Sequence, residues 1–171
     1  MGVIQNNINA SMGAISGALV AGKHLSNQKK IANEAEKVNL NTEKKDLDAK
    51  EKKLNSEIEK EMAKNPIVDH AFNPETGEST TEVVTDKETY LNEKLKDSQQ
   101  RYDEMTGQMD EVLKNGGMNA QYSDEYKSMS KDAIMYKKAI ESYQNKLDMM
   151  RTINEARINI NTRLDKLNGG K

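Results

Sequence analysis

The chain has no cysteine and no tryptophan, a single phenylalanine (Phe72) and only two prolines in 171 residues. Without cysteine there is no disulfide staple, no thiolate metal site and no cysteine nucleophile. Hydrophobic residues make up 35% and aromatics 4%, too little apolar volume for a thick single core. Long helices need less, because two apolar positions in every seven suffice for helix pairing. The net charge of −2 gives no basic excess, so no specific nucleic-acid site is expected. No apolar run is long enough for an ordinary transmembrane helix: the apolar stretch from Ala10 to Gly22 is too short.

What is present is patterned. Residues 1–22 carry no charged side chain, the first being Lys23. Ile4, Ile8, Met12, Ile15 and Leu19 share one helical face, while Gly13, Gly17 and Ala21 recur four apart on the other. Small residues so spaced let helix backbones approach closely. This uncharged N-terminal helix is therefore a packing segment, with membrane contact as the competing reading. It lacks a positive leading region, which argues against a signal peptide. Asn6 stands where myristoylation after Gly2 needs Ser or Thr.

Residues 24–64 are free of glycine and proline and interleave Lys with acids. Leu40, Leu47 and Leu54 recur every seven residues, and Ile31, Ala35 and Val38 keep a similar spacing in another phase. The spacing predicts a long, charged helix ended by Asn65-Pro66. Two β-prone runs then flank a Pro- and Gly-containing turn, which predicts a β-hairpin or an extended loop over 67–85.

Thr85-Asp86-Lys87-Glu88 reads as a capping box. Leu91, Leu95, Ser98, Tyr102, Met105, Met109 and Val112 follow at alternating four and three. A Gly116-Gly117 turn and Ser123 lead into a second seam: Tyr126, Met129, Ala133, Tyr136, Ile140, Tyr143, Leu147 and Met150. Two such seams predict an antiparallel helical hairpin over 86–167, with a short tail at 168–171. Its stretch 151–167 outruns residues 86–114 and needs either the helix at 24–64 or another molecule to cover it. The fold class is thus mainly α: long coiled-coil-like helices, an antiparallel helical hairpin and one small β-hairpin.

Catalytic constellations are lacking. His24 and His70 lie in different segments, and neither has a ligand-like neighbour at helical spacing, so no metal and no cofactor are expected. The acids alternate with Lys on helix faces, the pattern of solvated surfaces with weak i,i+4 pairs. The Met and Tyr stripes fill a narrow seam. No enzymatic activity is expected, because no nucleophile and base can be assembled.

The run Met1-Gly2-Val3-Ile4 through Gly13-Ala14-Ile15-Ser16-Gly17-Ala18-Leu19-Val20-Ala21-Gly22, then His24-Leu25-Ser26-Asn27-Gln28, resembles the start of bacteriophage DNA-pilot and internal ejection proteins. The resemblance covers about the first 55 residues and is compositional. It implies a virion protein that helps move the genome across the host envelope, with copies of itself and other virion proteins as partners. The order helix, β-hairpin, helix is also similar to prefoldin-type chaperones, which implies a cytoplasmic adaptor instead. A third expectation is a secretion or translocator accessory at the bacterial envelope, its N-terminal helix entering a membrane.

Overall fold

The computed structural model describes the backbone of residues 2–72, 74–77 and 79–169, and the side chains of residues 25–68, 74–77, 79–117 and 119–169. The protein is mainly α. In chain order it comprises α1 (Gly2–Lys64), β1 (Val68–Phe72), β2 (Ser79–Val83), α2 (Lys87–Gly116), a 3-10 helix (Gly117–Tyr122) and α3 (Asp124–Leu167). Compact packing divides the chain into two units, one of residues 48–156 and one of 1–47 with 157–171.

The uncharged and charged segments, which the sequence separates by composition, belong to one helix, α1, from Gly2 to Lys64. A change from uncharged to charged composition is not itself a helix breaker. Gly22 alone costs a helix only about 1 kcal/mol, and no proline follows until Pro66. The helix ends as the sequence predicts, with the Asn65 amide donating to the Glu61 carbonyl at 2.9 Å. The strands β1 and β2 pair antiparallel, with Val68 opposite Val83 and Phe72 opposite Ser79. Where the chain enters and leaves them, the Val84 amide donates to the Ile67 carbonyl at 3.0 Å.

The cap of α2 lies one residue beyond the predicted box. Asp86 is the N-cap, and its carboxylate accepts from the Thr89 amide at 2.7 Å. A carboxylate there also meets the positive end of the helix dipole. At the far end, Gly117 has φ 66° and ψ −163°, and its amide donates to the Leu113 carbonyl. Only glycine adopts that region freely. The connection is longer than a bare Gly-Gly turn, because the 3-10 helix intervenes before Ser123. The Ser123 hydroxyl donates to the Ala120 carbonyl at 2.7 Å and accepts from the Tyr126 amide at 3.1 Å. Gly117→Ala is expected to cost about 1–2 kcal/mol. A thermal melt no lower than that of the parent would show that the turn closes without a left-handed residue.

In the unit of residues 48–156, α2 and α3 run antiparallel. Val112 and Met129 line one groove, and Leu95 and Ile140 line another nearer the start of α2. The end of α1 also runs antiparallel to α3: Leu54 shares a cavity of about 30 Å³ with Met150 and Ile153. That volume holds about one water molecule. Tyr90, Leu91 and Ile58 are completely buried, and Leu54, Ala133, Leu147 and Ile153 nearly so. Ser98, the polar break in the predicted seam, is buried as well.

In the other unit, Lys44 donates to the Asn161 side chain at 3.1 Å and Arg163 to Glu36 at 2.6 Å. The order of these pairs makes the two helical segments antiparallel. Leu40 and Ile160 are the buried apolar residues there among those described. Part of the stretch beyond Met150 therefore packs on α1 of the same chain, while Ile158 is exposed.

Candidate functional site

The described side chains with the most unusual surroundings sit where the last turn of α1 meets the first turns of α2 and the middle of α3. Residue spacing explains why they meet. The seven-residue step that carries Leu40, Leu47 and Leu54 lands next on Glu61. A carboxylate thus falls where an apolar residue belongs, and it is met by Lys146, which donates to it from α3. The Tyr143 hydroxyl also hydrogen bonds to Glu61. From α2, Tyr90 donates its hydroxyl to the Asn65 carbonyl at 3.2 Å, and Lys87 pairs with Glu59 at 2.8 Å. Lys94 lies 5.6 Å from the Tyr90 ring centre and Lys146 5.4 Å from that of Tyr143, each at cation–π distance. Two lysines and two tyrosines therefore surround one half-buried carboxylate.

The electrostatics follow from that geometry. Burial pushes the Glu61 carboxyl upward, but the bonds from Lys146 and Tyr143, helped by the charges of Lys146 and Lys94, outweigh it and hold it below its ordinary value. Burial pushes the Tyr143 phenol well up, and the bond to Glu61 adds to this. Burial and the Glu61 charge also raise Tyr90. Glu61 is thus ionised and both phenols are protonated near neutral pH. The arrangement fixes the relative register of three helices.

A folded-state pKa below the unfolded one stabilises the protein above the ordinary carboxylate value, about 4.5. That contribution is lost as pH falls through the lowered value. Asp86, lowered by its bonds from Thr89, contributes in the same sense, but its contribution is lost only below its own ordinary value of 3.8. Glu61→Gln is expected to cost about 1 kcal/mol at pH 7. Denaturant midpoints should then fall less steeply between about pH 5 and pH 3 than in the parent. Parallel pH profiles for the two proteins would contradict the pairing.

The predicted seam residues Leu91, Leu95, Tyr102, Met105, Met109, Val112, Tyr126, Met129, Tyr136, Ile140, Tyr143, Leu147 and Met150 are all buried or half-buried. Tyr136 accepts from Arg101 of α2. Reading all the acids as solvated missed Glu61, whose signal was its place in the Leu40-Leu47-Leu54 series. Tyr90 was missed because it lies one residue before the regular seam that starts at Leu91. The N-terminal candidates Ile4, Ile8, Met12, Gly13, Ile15, Gly17, Leu19 and Ala21, with His24 and His70, lie outside the described side chains. Among the described residues, no group of three His, Cys, Asp or Glu is placed to hold a metal ion. No helix among them is long and apolar enough to cross a membrane.

These elements define a mainly α protein of antiparallel helix pairs carrying one short β-hairpin. Compared with known proteins, the chain matches no family model, no curated protein and no solved structure.

Proposed function

We propose that the chain is a non-enzymatic structural component of a bacteriophage particle, in its head, portal or tail region. It acts by helix–helix assembly with copies of itself and with other virion proteins, and as an internal protein it aids genome delivery. The observation that carries this reading is the apolar surface left bare on long helices. Leu25, Ile31 and Val38 of α1 are exposed, as are Ile134, Met135, Met149 and Ile158 of α3. Single exposed apolar residues are ordinary on any protein, but Ile31 and Val38, seven residues apart on one face of α1, are adjacent enough to suggest a contact surface. The pilot-like composition of the first 55 or so residues supplies the phage context.

The test is to detect the chain in purified particles and to repeat the measurement with residues 1–22 deleted. Incorporation of the full chain and its loss on deletion are expected. A chain absent from particles ends this reading. A chaperone or adaptor role is the second reading, motivated by the hairpin joining α1 to α2. Suppression of client aggregation by the full chain, lost when residues 68–83 are replaced by a linker, would favour it.

A further inference from the structure

The β-hairpin is a sheet of two strands, so β2 is an edge. The bond from the Val84 amide to the Ile67 carbonyl fixes which groups face outward. Bonded pairs alternate along an antiparallel ladder. Glu82 therefore bonds inward to β1, while Ser79 and Val83, at the two ends of β2, direct their backbone groups away from it.

The two edges of the hairpin differ. Pro66 and Pro74, the only prolines in the chain, bracket β1, and proline cannot donate to a ladder. Ser79–Val83 holds no proline, lysine or arginine, and its register with β1 advances one for one, without a bulge. Those are the devices by which proteins block an edge against a further strand. All residues of β2 are exposed. It is thus an open edge, about 17 Å long at the rise of a strand.

Shape and charge identify what fits there. A groove of about 360 Å³ opens where β2 ends, lined by Met62, Ala63, Pro66, Val83, Val84 and Thr85, with the Glu59–Lys87 pair also on its wall. It suits an apolar side chain at that end of an added strand. Between Lys64 and Lys87 the chain carries Asp69, Glu75, Glu78, Glu82 and Asp86 and no lysine or arginine, whereas both signs interleave along the helices. An acidic hairpin attracts a basic strand and repels its own copy. Every lysine and arginine among the described residues lies in a helix, so those residues offer no extended basic segment.

We propose that β2 is a docking edge for an extended, lysine- or arginine-bearing segment of a different protein, which adds to the hairpin as a third strand and sets an apolar side chain in the groove at its base. Backbone bonds supply affinity in such pairing, and the groove and the charges supply specificity. The edge uses none of the exposed helix residues behind the assembly reading, so either can fail without the other.

The test follows fluorescence anisotropy of labelled peptides titrated with the full chain. The probe is a leucine followed by alternating lysine and valine, which brings the leucine to the groove when the peptide runs antiparallel to β2. It should bind ~10-fold more tightly than the same peptide with glutamate for lysine, and ~10-fold more tightly than one with serine for leucine. Two further peptides carry N-methyl groups on the lysine amides or on the valine amides. One of them should lose binding, because alternate amides face β2. The chain is unaltered in that comparison, so a folding defect cannot imitate the loss. Glu82→Lys should weaken binding of the probe ~10-fold, and Glu104→Lys, on α2, should leave it unchanged. Equal binding of the lysine and glutamate peptides would overturn the basic partner. Undiminished binding of both methylated peptides, or equal effects of Glu82→Lys and Glu104→Lys, would overturn the edge. No binding of the probe up to ~1 mM would overturn the proposal as a whole.

Discussion

Leu147→Ala is expected to lower the free energy of unfolding by about 3 kcal/mol. Leu147 is 2% exposed and lies beside Lys146, where three helices meet. Truncation there removes the transfer energy of the lost carbons. It also opens a space that the backbone cannot close, because Glu61, held by Lys146 and Tyr143, pins the same turn of α3. Urea unfolding followed by circular dichroism should show a lower midpoint with an unchanged slope. Met149→Ala, two residues away and exposed, should stay within about 0.5 kcal/mol of the parent. A Leu147→Ala loss under about 1 kcal/mol would mean that the seam repacks and that Leu147 is not its centre.

Tyr90→Ala is expected to cost about 3–4 kcal/mol and Tyr90→Phe only about 1 kcal/mol. The ring of Tyr90 is completely buried, and its hydroxyl makes one bond to the Asn65 carbonyl. The alanine variant loses the ring that joins the start of α2 to the end of α1. The phenylalanine variant keeps the ring and loses one neutral bond. The same urea measurement separates the two contributions. A Tyr90→Phe cost equal to that of Tyr90→Ala would make the hydroxyl bond, not ring burial, the link between α1 and α2.

Much of this architecture was legible because helix pairing leaves a periodic trace. Leu91 through Val112 and Tyr126 through Met150 keep a four-three rhythm, and a rhythm survives even when Ser98 breaks its polarity. Gly117 announced the end of α2 because its conformation is closed to other residues. Less legible was anything that depends on two distant segments meeting. Nothing local to Lys146 distinguishes it from Lys137 or Lys138, which are exposed. Its role comes from Glu61, 85 residues away. The continuity of α1 was hidden for the opposite reason. The change of composition at Lys23 is conspicuous in the sequence, yet peptide geometry does not respond to it. The 3-10 helix after Gly117 ends at bonds made by Ser123, a residue that the sequence marked only as a helix start.

The β-hairpin departs from the helical framework and rejoins it at one place. Ile67 and Val84 are bonded across its base, while Asn65 and Tyr90, on either side, touch each other. The described residues of β2 are all exposed, so little of the framework leans on that strand. Closing a loop costs an entropy that grows only with the logarithm of its length. Single substitutions along Ser79–Val83 are therefore expected to cost the helices little, within about 0.5 kcal/mol.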